Sequence, residues 1–114
     1  MNRKDQNLLF VCSRNKWRSP TGEKIFSRYP DISTRSVGTS KNARRKITEN
    51  DIKWADMIFF MEQQHYTKSE SLFGKILDGK ELFILDISDE YQFREPELVS
   101  MLTDVITPVL EDRA

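Results

Sequence analysis

Residues 8–20 read Leu8-Leu9-Phe10-Val11-Cys12-Ser13-Arg14-Asn15-Lys16-Trp17-Arg18-Ser19-Pro20. Leu8 to Val11 is a short bounded apolar run, the pattern of a buried strand. A cysteine ends it, an arginine follows six positions on, and Ser19-Pro20 has the form of an N-cap with proline at the first helical position. Gly22, Ile25, Phe26 and Tyr29 then recur at i, i+3, i+4 and i+7, one face of a helix. Glycine in that face lets the helix lie close to a sheet. The stretch is therefore strand, tight loop, helix.

The same alternation continues along the chain. Thr34 to Val37 is a second strand ended by Gly38. Thr48 to Asp51 has the form of a capping box opening a short helix. Met57 to Met61 is a third strand, and Glu62 to Leu72 a polar helix with Tyr66 and Leu72 facing inward. Gly74 to Glu81 is a turn region, and Leu82 to Leu85 a fourth strand. Pro96 opens a last helix whose Leu98, Val99, Leu102, Val105, Ile106 and Leu110 form an apolar stripe. Strands separated by helices imply an α/β three-layer sandwich, a parallel sheet with helices on both faces. Such sheets bind ligands beyond the carboxyl ends of their strands. With the first strand central, the natural site is the loop from Cys12 to Ser19.

Composition sets the bounds. At 114 residues, 38 % hydrophobic and 32 % charged, the chain is expected to form one globular domain over residues 1–114. No apolar run reaches the ~20 residues of a membrane helix. Met1 to Gln6 is polar with no signal-peptide core, so the cytoplasm is the expected location and no membrane partner is expected. Eighteen basic residues balance eighteen acidic ones, which gives no reason to expect nucleic acid. One Cys and one His allow neither an internal disulfide nor a Cys/His zinc site, and no metal or cofactor is expected. If Cys12 matters, it matters as a thiolate.

Each part of the loop has a chemical use. Backbone N–H groups in a tight strand-to-helix turn converge on an anion, and the helix N-terminus adds partial positive charge. The same field stabilises a thiolate. Arg18 can hold two phosphate oxygens in its fork, a geometry lysine lacks. Ser19 can donate its hydroxyl to the thiolate, which becomes a nucleophile for phosphoryl transfer. A lone cysteine ending an apolar strand is often only a small buried hydrophobe. Here the strand before and the helix start after favour the functional reading.

The segment LLFVCSRNKWRSPTGEKIF (residues 8–26) resembles the phosphate-binding loop of low-molecular-weight protein tyrosine phosphatases, with Cys12, Asn15, Arg18, Ser19 and Pro20 matching. RSVGTS, Arg35 to Ser40, is similar to a second family segment, and ADMIFFMEQQH, Ala55 to His65, to a third. The resemblance implies a four-stranded parallel sheet of order 2-1-3-4 and a phosphocysteine intermediate on Cys12. It implies a phosphate loop made of Ser13, Arg14, Asn15, Lys16, Trp17 and Ser19, with Asn15 supported by Ser36. The substrate it implies is a phosphorylated protein or small aryl phosphate, with inorganic phosphate or another oxyanion able to occupy the loop. The family's glycine two after the nucleophile, which permits unusual backbone angles, is Arg14 here. Its second cysteine is Trp17, so disulfide protection is absent. The chain is also shorter than typical members between Ser40 and Thr48.

Expelling a phenolate needs a proton donor, and hydrolysing the intermediate needs a base. The family supplies one Asp for both after its fourth strand. In LFILDISDEYQF, residues 82–93, Asp89 aligns best and Asp86 is the alternative acid. Trp17 and Tyr91 either flank an aromatic substrate ring or pack. Arg44, Arg45 and Lys46 either attract anionic substrate or form a solvated face. His65 reads as a surface helix residue. Two other functions fit the sequence: arsenate reduction with an external thiol, and phosphopeptide binding without turnover. The chain has no G-x-x-x-x-G-K-[ST] segment for a nucleotide triphosphate.

Overall fold

Strand β1, Gln6–Cys12, is the middle of everything that follows. A computed structural model describes residues 5–112, so all but the end of the polar stretch Met1 to Gln6 and the last two residues of the expected domain lie outside the described residues. The remaining elements are α1 (Arg18–Phe26), β2 (Ile32–Gly38), α2 (Glu49–Trp54), β3 (Met57–Phe60), α3 (Gln63–Phe73), β4 (Glu81–Ile84) and α4 (Pro96–Glu111). A single 3-10 turn, Gly74–Leu77, occupies part of the expected turn region. All strand pairs are parallel, in the order β2-β1-β3-β4, as the sequence implies.

Period-two alternation divides β1 between two cores. Leu8, Phe10 and Cys12 join Phe26, Phe59, Leu98, Leu102 and Ile106 on the α1/α4 face. Leu9 and Val11 join Val37, Ile52, Ala55, Ile58 and Phe60 on the other. Both sheet faces are covered, which makes the three layers. Register sets Phe10 beside Phe59 and Phe59 beside Phe83. Their near-parallel rings stack at 5.4 and 5.0 Å, and Phe26 of α1 stacks on Phe10 at 6.0 Å. Gly22 lies where this ladder meets α1: a Cβ there would stand 2.6 Å from the Phe10 ring.

Thr48 and Asp51 form the expected capping box of α2, each side chain accepting the other's backbone N–H. Two local expectations need correction. Helix α1 begins at Arg18, with Trp17 at the N-cap position and Ser19 already inside; the Ser19 hydroxyl is drawn to the loop instead of the helix start. On α3, Tyr66, Ser69 and Phe73 face the sheet while Leu72 is 52 % exposed. The fully buried residues of α3 are polar, His65 and Ser69, and Ser69 donates to the His65 carbonyl.

Candidate active site

The loop between β1 and α1 is shaped from outside. The carbonyls of Cys12, Ser13 and Arg14 accept from the backbone N–H groups of Thr39, Ser40 and Arg44, each at 2.9 Å. The Asn15 carbonyl accepts from Arg44 Nε at 3.0 Å. In a trans peptide the C=O and the following N–H point opposite ways. Four carbonyls engaged by residues 39–44 therefore leave the N–H groups of residues 13–16 on the opposite side of their peptides from those contacts. The Asn15 N–H accordingly donates to Cys12 Sγ at 3.2 Å. Gly38 lets the two segments approach, since a Cβ there would lie 2.4 Å from the Ser13 carbonyl oxygen.

Arg14 does not take over the glycine's conformational role. The positive φ in this loop, 56°, belongs to Asn15, a residue type that tolerates the left-handed region. Buried Asn15 donates from Nδ2 to Ser19 Oγ at 2.9 Å. Ser19 Oγ lies 2.9 Å from Cys12 Sγ and 3.2 Å from the Val37 carbonyl. With Asn15 Nδ2 donating to it, the single Ser19 hydrogen has two acceptors in reach, the Val37 carbonyl and Cys12 Sγ. The expected support of Asn15 by Ser36 is not what the structure has. Ser36 donates to Glu23 of α1, a charged and therefore stronger acceptor than an amide oxygen.

Arg18 is buried, and its Nη1 donates to Glu62 Oε1 at 2.5 Å and to the Ile87 carbonyl at 2.7 Å. Burial pushes the Glu62 carboxyl up, but the hydrogen bond and charge of Arg18 outweigh it and hold Glu62 below its usual range. The segment after β4 is set by Leu85 N–H on the Phe60 carbonyl and Ile87 N–H on the Met61 carbonyl. Asp86 turns outward there with φ of 58° and is exposed. Ile87 goes into the core, and Asp89 reaches the site.

A cavity of about 180 Å³ results, lined by Cys12, Ser13, Arg14, Lys16, Trp17, Arg18 and Asp89. Of the two candidate acids, Asp89 lines it and Asp86 does not. Trp17, 36 % exposed, forms rim, with the Lys16 ammonium 5.0 Å from its ring centre. Tyr91 packs against the α4-side core and does not line the cavity. Of the basic run, Arg44 braces the loop, whereas Arg45 pairs with Asp51. Among the described residues, no group of three or more His, Cys, Asp or Glu is placed to hold a metal ion. A larger surface groove, between α1 and β2 and bordered by Arg44 and Phe93, is lined by none of Cys12, Arg18 and Asp89.

His65 was expected at the surface and is buried, 1 % exposed. Its Nδ1 accepts the Glu62 N–H at 3.0 Å and its Nε2 lies 2.9 Å from Ser13 Oγ. Burial, with the charge of Arg18, lowers its pKa from 6.5 to about 4, against weaker opposing pulls from Glu62 and Asp89. Between these values the unfolded chain holds the extra proton and the folded chain does not, so stability falls as pH drops below 6.5. Urea unfolding should show about 2 kcal/mol lost between pH 6.5 and 5, at about 1.4 kcal/mol per pH unit. His65 is the one histidine in the sequence, so His65→Gln should flatten that interval. A wild-type profile already flat there would mean that the imidazole protonates freely.

No family model matches the sequence, and no curated protein matches it. Solved structures do. A low molecular weight protein tyrosine phosphatase from T. tengcongensis superposes with TM-score 0.76 at 21 % identity, over 95 % of this chain and 99 % of that one. Vibrio vulnificus Wzb, in complex with benzylphosphonate, gives 0.76 at 18 %, over 95 % and 99 %. The YwlE arginine phosphatase from Geobacillus stearothermophilus gives 0.69 at 18 %, over 94 % of each. With strand order, layers and near-complete overlap in agreement, this chain has the fold of the low molecular weight phosphatases.

Proposed function

We propose that the protein is a cysteine-dependent phosphate monoester hydrolase, acting on phosphotyrosine in proteins or on small aryl phosphates. The observation that carries this is the set of loop carbonyls held from outside around Cys12, with the Asn15 N–H on Sγ, in a cavity that Arg18 and Asp89 also line. A tetrahedral oxyanion fits that arrangement, with Arg18 at its edge.

In the first step Cys12 Sγ attacks phosphorus in line, the P–O bond to the leaving group breaks, and Asp89 passes its proton to the departing oxygen. The product is a phosphocysteine. In the second step Asp89, now a carboxylate, takes a proton from water as the water oxygen attacks phosphorus. The P–S bond breaks, releasing phosphate and the thiolate. Loop N–H groups and Arg18 hold charge on the equatorial oxygens throughout. Lys16, Arg14 and the Trp17 face suit an anionic substrate carrying an aromatic ring. The benzylphosphonate held by Wzb has that chemistry.

The test is hydrolysis of 4-nitrophenyl phosphate and of peptides carrying phosphotyrosine, phosphoserine or phosphoarginine, with arsenate reduction assayed alongside. Phosphotyrosine and the aryl phosphate should turn over fastest. Asp89→Asn should lower kcat on the aryl phosphate about 100-fold, and Asp86→Asn should leave it within about twofold. The reverse order would move the acid to Asp86. Phosphate binding without hydrolysis from pH 5 to 8 would leave a binding module, and thiol-dependent arsenate reduction would leave a reductase.

A further inference from the structure

We infer that His65 is a positioning residue that makes Ser13 a hydrogen-bond donor towards the anion in the cradle. A backbone N–H can only donate, so the Glu62 N–H at 3.0 Å requires an unprotonated Nδ1. The imidazole hydrogen is then on Nε2, 2.9 Å from Ser13 Oγ. Ser13 accepts that hydrogen, and its own hydroxyl hydrogen is left to point elsewhere. Ser13 lines the cavity beside Cys12 and Arg18, so the open direction includes the cradle. Without His65 the same hydroxyl could turn round and donate outward.

The ring also joins two parts of the site. Glu62, whose N–H it accepts, holds Arg18 through its carboxylate. One buried imidazole thus ties the residue after the nucleophile to the partner of the phosphate-binding arginine. Protonating Nδ1 would set two donors face to face, so the arrangement works only with a neutral ring.

Two substitutions separate the two nitrogens. Glutamine can carry an N–H to roughly the Nε2 position and reach Ser13. Asparagine can offer an oxygen near the Nδ1 position, which keeps the contact at the start of α3 but falls short of Ser13. Inhibition or binding by inorganic vanadate and phosphate is measured on wild type, His65→Gln, His65→Asn, Ser13→Ala and the His65→Asn/Ser13→Ala pair, with kcat and KM on 4-nitrophenyl phosphate and Tm on each. His65→Asn and Ser13→Ala should each weaken vanadate binding and lower kcat/KM about tenfold, mainly through kcat. The pair should lose no more than either alone, and His65→Gln should recover most of the loss. Wild-type vanadate affinity in His65→Asn, additive losses in the pair, or equal losses in His65→Gln and His65→Asn would each overturn the inference. Should His65→Asn not fold, an unchanged Ser13→Ala would overturn it alone. The kinetic arm rests on the phosphatase reading and the oxyanion arm does not. Wild type that binds vanadate but hydrolyses nothing would end that reading while leaving the inference open to the same variants.

Discussion

Cys12→Ser should lose turnover of an aryl phosphate by about four orders of magnitude or more while still binding inorganic phosphate within about tenfold of wild type. The two halves have different causes. Turnover needs a sulfur anion at the end of β1, facing the Asn15 N–H at 3.2 Å and the Ser19 hydroxyl at 2.9 Å. A serine hydroxyl is a far weaker acid and remains protonated there, so the attacking anion disappears. Binding depends on loop N–H groups whose orientation is fixed by carbonyl contacts with Thr39, Ser40 and Arg44, none of which uses the sulfur. Stopped assays on the aryl phosphate and calorimetry with inorganic phosphate check the two halves separately. Full turnover by Cys12→Ser would remove the covalent mechanism. Loss of phosphate binding together with turnover, in a variant with unchanged Tm, would mean the cradle is not held by its carbonyls.

The strand-loop-helix at residues 8–26 was legible because its signals are local: an apolar run, a polar turn and a helical stripe. Four such units leave few topologies for a right-handed parallel sheet. What escaped was non-local or polar. Nothing in Cys12 to Asn15 announces that residues 39–44 would take its carbonyls; Gly38 was the available hint, read only as a strand end. His65 and Ser69 count as outward residues in any hydropathy pattern, yet they are the buried polar groups that set the inner face of α3. Asp86 and Asp89 are equivalent as letters after an apolar strand. They are separated by the left-handed turn at Asp86 and by Ile87 entering the core, which carries the chain round so that Asp89 returns to the cavity. Asn15 as loop support followed from the family resemblance. The same resemblance gave Ser36 as its partner; the Asn15 side chain donates to Ser19 instead, and a sequence cannot say that Glu23 would claim Ser36.

The second large loss should come from Arg18→Lys, about 1,000-fold in kcat/KM on the aryl phosphate. Charge is kept in this variant, so the loss measures geometry. Arg18 Nη1 is committed to Glu62 and to the Ile87 carbonyl, which fixes one edge of the fork and presents the planar group to the cavity it lines. Lysine has a single nitrogen. It can stay with Glu62 and Ile87 or move to the phosphoryl oxygens, and in neither position can it grip two oxygens at once. Part of the loss should appear as weaker vanadate binding and the larger part in kcat, because equatorial charge is best matched by a fork in the transition state. Glu62→Gln is the companion variant. It removes the charge partner but leaves the Ile87 carbonyl, so the guanidinium keeps one anchor and the loss should be about tenfold. In the Arg18→Lys background Glu62→Gln should cost little more, since the fork it helps to aim is gone. A lysine variant within tenfold of wild type would show that the cradle uses Arg18 only as a charge. The Glu62–Ile87 anchorage would then serve stability and not catalysis.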